Sequence, residues 1–169
     1  MKKWSGYSRK GCSLKEQIES IQSHRMAEEQ VIDLNTFREL KKNRKKPVVL
    51  VVDDDELVRN GLKRILEAER FHVVLAEDAM GVSRVLDHQH FDIVLMDIKL
   101  PWVDGIELCQ ILKSHKSFQN VPVVLMSGEA SPEDIELGVA AGCEDVMVKP
   151  FDASELISTI QEKISAVSV

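Results

Sequence analysis

Cysteine is scarce and scattered: the 169 residues hold three, Cys12, Cys109 and Cys143. They form no C-x-x-C pair or Cys/His cluster, which excludes a disulfide framework and a zinc site and suits a reducing cytosol. No window approaches 18 apolar residues, so no membrane-spanning helix is expected. Residues 1–12 are basic and polar with no apolar segment behind them, which argues against a signal peptide. The eight glycines build no phosphate-cradling loop. His24, His72, His88, His90 and His115 stand apart from any nucleotide motif, and each reads as an ordinary surface or boundary histidine.

What is present suffices for a core. Hydrophobic residues make up 44% of the chain, enough for one compact domain and an appendage. The net charge of -6 conceals a division. Residues 1–46 carry 12 Lys or Arg against 6 Asp or Glu, and residues 47–169 carry 10 against 22. A basic leader and an acidic domain therefore meet near Pro47.

From Pro47 onward, apolar runs rich in Val, Ile and Leu predict strands at 48–52, 72–76, 92–96, 121–126 and 145–148, of the kind buried on both faces. Between them the spacing predicts helices at 56–69, 78–89, 105–116, 131–142 and 152–166, the last with Leu156, Ile160 and Ile164 on one face. Strict alternation of the two types predicts an α/β sheet. Ser131-Pro132-Glu133-Asp134 offers a helix cap, a first-turn proline and early acids, and Asp152-Ala-Ser-Glu155 resembles a capping box. Gly142 is placed to stop a helix in the left-handed conformation.

The first strand runs directly into Asp53, Asp54 and Asp55. A close pair of like charges costs roughly 4 kcal/mol at an effective dielectric of 20, so such a junction calls for a cation, and a divalent metal is the obvious one. The third strand ends at Asp97, the fourth at Ser127 and the fifth at Lys149. In a parallel open sheet all of these ends share one edge, where ligands bind near the topological switch point.

Four stretches carry a specific resemblance: Val49-Leu-Val-Val-Asp53-Asp54-Asp55; Phe91-Asp-Ile-Val-Leu-Met-Asp97-Ile-Lys-Leu-Pro101-Trp-Val-Asp104-Gly105; Val121-Pro-Val-Val-Leu-Met-Ser127-Gly128; and Gly142-Cys-Glu-Asp-Val-Met-Val-Lys149-Pro150-Phe151. Through them, residues 47–166 resemble the receiver domain of bacterial two-component response regulators. The resemblance implies a flavodoxin-like, doubly wound five-stranded parallel sheet in the order 2-1-3-4-5, an arrangement for which a member of this family is a standard example. The expected division is 1–46, a basic helical extension and linker, and 47–169, the receiver domain.

Asp97 is the candidate nucleophile, since a carboxylate can attack phosphorus to give an acyl phosphate. Asp53, Asp54 and Asp97 are hard oxygen ligands suited to Mg2+, with Mn2+ as a substitute. The resemblance implies that Asp54 contacts the metal directly and Asp53 through water, with the Lys99 backbone carbonyl as a further ligand. It also implies that Lys149 pairs with phosphoryl oxygens, that Ser127 donates to one of them, that Gly128 leaves the phosphoryl group space, and that the Lys149–Pro150 bond is cis. These are the positioning and charge-stabilising parts that phosphoryl transfer needs. The donor implied is a phosphohistidine on a sensor histidine kinase or a histidine phosphotransfer protein.

One position departs from the pattern. Receivers carry Tyr or Phe three residues before the phosphate-sensing lysine, and here that residue is Val146, which weakens the usual aromatic readout. Asp55 is read as a helix start and Asp104 as the shaper of a turn. The Lys99 side chain stands where the family tunes phosphate lifetime, and Trp102 is placed either to bind partners or to pack over the rim.

In the leader, Ser13-Leu-Lys-Glu16 and Thr36-Phe-Arg-Glu39 could each open a helix, but the apolar stripe is not sustained as a long coiled coil. A homodimer through this extension is one expectation; a flexible leader or a nucleic-acid arm built on the basic run 41–46 is another, and no recognisable reading module accompanies it. The whole chain reads as a cytoplasmic, stand-alone phosphoacceptor that signals to an unidentified output protein and catalyses only its own phosphorylation and dephosphorylation. The alternatives are a scaffold receiver acting by constitutive binding, a DNA-contacting regulator and a small metal hydrolase.

Overall fold

A computed structural model describes residues 46–86, 88–129 and 131–167. The expectations for the leader, including helices opening at Ser13 and Thr36, concern residues outside these. The described residues form one compact unit. Strands β1 (Val48–Val52), β2 (His72–Ala76), β3 (Ile93–Asp97), β4 (Val123–Ser127) and β5 (Asp145–Val148) alternate with helices α1 (Glu56–Ala68), α2 (Ala79–Leu86), α3 (Gly105–Ser114), α4 (Pro132–Ala140) and α5 (Ala153–Val167). All four strand pairings are parallel, and the order is β2-β1-β3-β4-β5.

Side chains on successive strand residues point to opposite faces, so the same run feeds two cores. Val49 and Val51 of β1 pack with Ile93, Leu95, Leu62 and Leu66 of α1, and Leu156 and Ile160 of α5. Leu50 and Val52 pack on the other face with Val94, Met96, Val82 of α2, and Leu108, Cys109 and Leu112 of α3. Each such side chain contributes about 1.5–3 kcal/mol relative to exposure, and a one-residue slip would exchange every one of them between faces.

Two strands begin later than the apolar pattern predicts. Asp92 stays outside β3 because its carboxylate is engaged elsewhere: Oδ2 accepts from Val48 N at 2.7 Å while its own N–H donates to Val48 O. The strand instead extends to Asp97, which pairs with Met126. Pro122 has no N–H to give a ladder, and β4 starts at Val123, whose N–H donates to Glu144 Oε2 at 2.6 Å. Lys113 Nζ secures that acid at 2.6 Å and the Val121 carbonyl at 2.8 Å. An acidic residue before β3 and one before β5 thus each clamp the first N–H of the neighbouring strand.

Helix ends differ from expectation by one to three residues, as fraying and local caps dictate. Asp78 lies outside α2 because Oδ1 accepts from Gly81 N, and α2 stops at Leu86. At α4, Ser131 and Asp134 form a reciprocal capping box behind Pro132, and the hydrogen bonds from Ser131 hold the Asp134 carboxyl below its usual range. Gly142 follows with φ +91°. The box expected at Asp152 and Glu155 is not formed: Asp152 contributes only its backbone carbonyl, to Leu156 N. Burial pushes the Cys109 thiol up to about 12 and raises that of Cys143 as well, so both behave as core residues.

Asp55 caps α1, its Oδ1 accepting from Leu57 N at 2.7 Å and more weakly from Val58 N. Asp55→Ala is expected to lower stability by about 1 kcal/mol, and Asp55→Asn to restore it. Urea unfolding of the two variants checks this, and equal losses in both would show that charge rather than capping matters there.

Candidate functional site

The carboxyl ends of β1, β3, β4 and β5 bring four of the expected residues to one edge. Asp53, directly after β1, is 1% exposed, and Asp97, the last residue of β3, is 7% exposed. Lys149 follows β5 and spans them: its Nζ lies 2.6 Å from Asp53 Oδ2 and 2.6 Å from Asp97 Oδ1. Burial alone would lower the Lys149 pKa, yet the two carboxylate hydrogen bonds and charges outweigh it and raise the value above the ordinary one. The other carboxylate oxygens are also held. Asp55 N donates to Asp53 Oδ1 at 2.9 Å, and Lys99 N to Asp97 Oδ2 at 2.7 Å.

Backbone bonds set these side chains in place. Asp53 N donates to Ala76 O, Ile98 N to Met126 O, and Lys149 N to Ser127 O at 2.7 Å. The ladder therefore continues through or just beyond each strand end. The Lys149–Pro150 peptide bond is cis.

Other expected residues stand nearby without joining the ammonium-carboxylate group. Ser127 is buried, and its hydroxyl donates to Glu129 O at 2.7 Å while accepting from Glu129 N. Asp54 is exposed, and its carboxylate takes no hydrogen bond from the described residues. The Lys99 side chain is exposed. A Cβ added at Gly128 would meet nothing within 4 Å, so the space beside Ser127 is open. Val146 is half-buried and packs against the core. Trp102 is 97% exposed with φ +74°, so it does not pack over the rim.

Two residues escaped sequence reasoning. Gly105 approaches the Asp97 backbone so closely that a Cβ there would lie 2.1 Å from the Asp97 carbonyl oxygen. Its place after Asp104, the N-cap of α3, signalled a turn but not this contact. Arg59 Nη1 donates to the Asp53 carbonyl at 2.6 Å; on a surface helix nothing in the spacing marks such a role.

The donor set is hard oxygen: the two buried carboxylates of Asp53 and Asp97 share one cation, and the exposed Asp54 follows Asp53 in the chain. Among the described residues no group of three or more His, Cys, Asp or Glu side chains is placed to hold a metal ion by itself. Mg2+ fits such a place, since it binds through one or two carboxylates and keeps several waters. A zinc-type site with nitrogen or sulfur ligands does not fit.

Residues 49–161 match the response regulator receiver domain family. The CAI-1 autoinducer sensor kinase/phosphatase CqsS of Vibrio cholerae is 34% identical over 122 residues, covering 72% of this chain and 18% of that protein. The transcriptional regulatory protein CseB of Streptomyces coelicolor is 34% identical over 113 residues, covering 67% and 47%. The chain spans less than half the length of either relative. Among solved structures, a CheY-like response regulator receiver domain protein from Methanospirillum hungatei is 31% identical with a TM-score of 0.67, covering 73% of this chain and 98% of that one. The receiver domain of the sensor histidine kinase PA1611 from Pseudomonas aeruginosa, with a magnesium ion coordinated in its active site cleft, is 26% identical with a TM-score of 0.66, covering 72% and 99%.

Proposed function

This chain belongs to the response regulator receiver domain family, and from that membership we propose that it is a phosphoacceptor, taking a phosphoryl group onto Asp97 from a phosphohistidine. The observation that carries the reading is Lys149 Nζ, poised 2.6 Å from both Asp53 and Asp97. In the transfer, the P–N bond of a donor ring protonated on its other nitrogen breaks and a P–O bond to Asp97 forms, leaving a neutral histidine and an acyl phosphate.

Asp97 Oδ1 is the attacking atom by this reading, because Oδ2 is tied to the Lys99 amide. Lys149 then moves its hydrogen bond from Oδ1 to a phosphoryl oxygen, keeping its charge beside the growing negative charge. Ser127 reaches a second phosphoryl oxygen by releasing the Glu129 carbonyl, and the open side of Gly128 admits the group. Asp53, Asp54, Asp97 and the Lys99 carbonyl would hold Mg2+, or Mn2+ in its place. When bound, the ion supplies neutralisation of phosphoryl charge and orientation of its oxygens.

The partners of this reading are a sensor histidine kinase or a histidine phosphotransfer protein on the donor side and an output protein that reads the phosphorylated state in the cytoplasm. Among the described residues no helix is long and apolar enough to cross a membrane. A homodimer through residues 1–46 remains part of the proposal, tested by light scattering with and without them. A scaffold role is the second reading, favoured by Val146, which packs inward near Gly138 where the family places a movable aromatic.

Incubation with acetyl phosphate and Mg2+ followed by intact mass tests the main reading. One added phosphoryl group is expected on the wild type and none on Asp97→Asn. An unlabelled wild type, or equal labelling of the two, would sink it; fast release of inorganic phosphate would revive a hydrolase.

A further inference from the structure

Arg59 sits at the end of the first turn of α1, behind the Asp55 cap. A cation near a helix N-terminus opposes the helix dipole, so the local preference runs against an arginine there. Its guanidinium reaches backward instead of into solvent, and Nη1 donates to the Asp53 main-chain oxygen at 2.6 Å. That oxygen belongs to the peptide joining Asp53 to Asp54. Every other polar atom of Asp53 is held by a different partner: N by Ala76 O, Oδ1 by Asp55 N, and Oδ2 by Lys149 Nζ. Asp54 is in the opposite situation. With its carboxylate exposed and unbonded among the described residues, no partner holds it, and the backbone that precedes it fixes only where its Cβ stands.

We propose that Arg59 is a positioning residue for the acidic pair: by pinning the Asp53–Asp54 peptide it fixes the Cβ from which the Asp54 carboxylate turns toward the space shared with Asp53 and Asp97, and thereby raises the affinity for Mg2+. This rests on the reading of that pair as metal ligands. Charge and geometry act in opposite directions here, which makes the role separable. A guanidinium beside the acids repels a dication, so charge alone predicts tighter Mg2+ binding when Arg59 is removed. Positioning predicts weaker binding, by about tenfold, as is usual when a partner behind a metal ligand is lost.

The experiment is a Mg2+ titration of the full chain by calorimetry, alongside the Mg2+-induced rise in melting temperature. Arg59→Gln is expected to bind about tenfold more weakly and to show a smaller Mg2+-induced rise, with the magnesium-free melting temperature little changed. Arg59→Met serves the same purpose if the Gln variant does not fold. In an Asp54→Asn background the Arg59 substitution should add little, since the two residues act through one peptide. Binding as tight as wild type or tighter in Arg59→Gln overturns the proposal, and so do fully additive losses in the double variant. A wild type that takes up no Mg2+ overturns instead the reading of the acidic pair itself, a result that the Arg59 variants alone cannot produce.

Discussion

Lys149→Ala is expected to lose about 3 kcal/mol of stability in magnesium-free buffer and to recover most of it when Mg2+ is added. The side chains of Asp53 and Asp97 are 2% and 10% exposed, and that of the lysine whose ammonium lies between them is 23% exposed. Without it, two buried carboxylates would face each other with no counter-charge. Removing one partner of a buried ion pair typically costs 3–5 kcal/mol. The lower end applies because Lys149 retains some solvent contact. A divalent ion offers the same carboxylates a replacement cation, which is why recovery is expected with Mg2+.

The pH dependence of this difference has a definite sign. Lys149 has its pKa raised above the ordinary 10.5, so its stabilising contribution is fully present below 10.5 and is lost only as pH rises through the higher folded value. The gap between wild type and Lys149→Ala should therefore hold from neutral pH up to that point and narrow beyond it. Urea unfolding with and without Mg2+ over this range is the measurement. A variant as stable as wild type in the absence of metal would show that the bridge adds nothing.

Gly105→Ala is the second large effect, with an expected loss of about 3 kcal/mol, the upper range of overpacking. A Cβ at this position would meet the Asp97 carbonyl oxygen at 2.1 Å, and the Asp97 carbonyl carbon and Ile98 Cα at 3.0 Å. All three are backbone atoms of the chain leaving β3, which cannot swing aside as the tip of a long side chain can. Nor can Gly105 retreat freely, because its N–H donates to Ile98 O at 2.7 Å. The strain would fall on the residue proposed as phosphoacceptor, so slower labelling by acetyl phosphate should accompany the loss. Gly61→Ala is the control: nothing lies within 4 Å of its added Cβ, and in a helix interior alanine is favoured by up to about 1 kcal/mol. A Gly105→Ala protein with wild-type urea midpoint and labelling rate would contradict the close approach.

The sheet was legible because its strands are short, apolar and separated by helices of regular period, so order and direction followed once the four motifs were recognised. Boundaries were less so. The Asp92 carboxylate and the missing N–H of Pro122 decide where β3 and β4 begin, and both act through partners more than 20 residues away or through an absent donor, neither of which hydropathy registers. Asp53, Asp97 and Lys149 could be brought to one edge from sequence since strand ends converge in any parallel sheet. The turn of the Ser127 hydroxyl onto Glu129 could not, because a rotamer is set by neighbours in space. Arg59 and Gly105 share that difficulty: one contributes through a carbonyl and the other through the lack of a side chain, and neither feature has a pattern of its own.

The continuation of the ladder at Asp53, Ile98 and Lys149 has a consequence for time as well as for place. Amides that stay paired open to solvent less often than those of loops without such partners. The backbone at the acids and the lysine is thus held more firmly than a free loop, while Trp102, exposed and in a left-handed conformation, belongs to a segment with no such anchor at that residue. Two timescales are therefore expected at one edge of this molecule: slow opening at the anchored chemical groups and faster motion at the exposed rim.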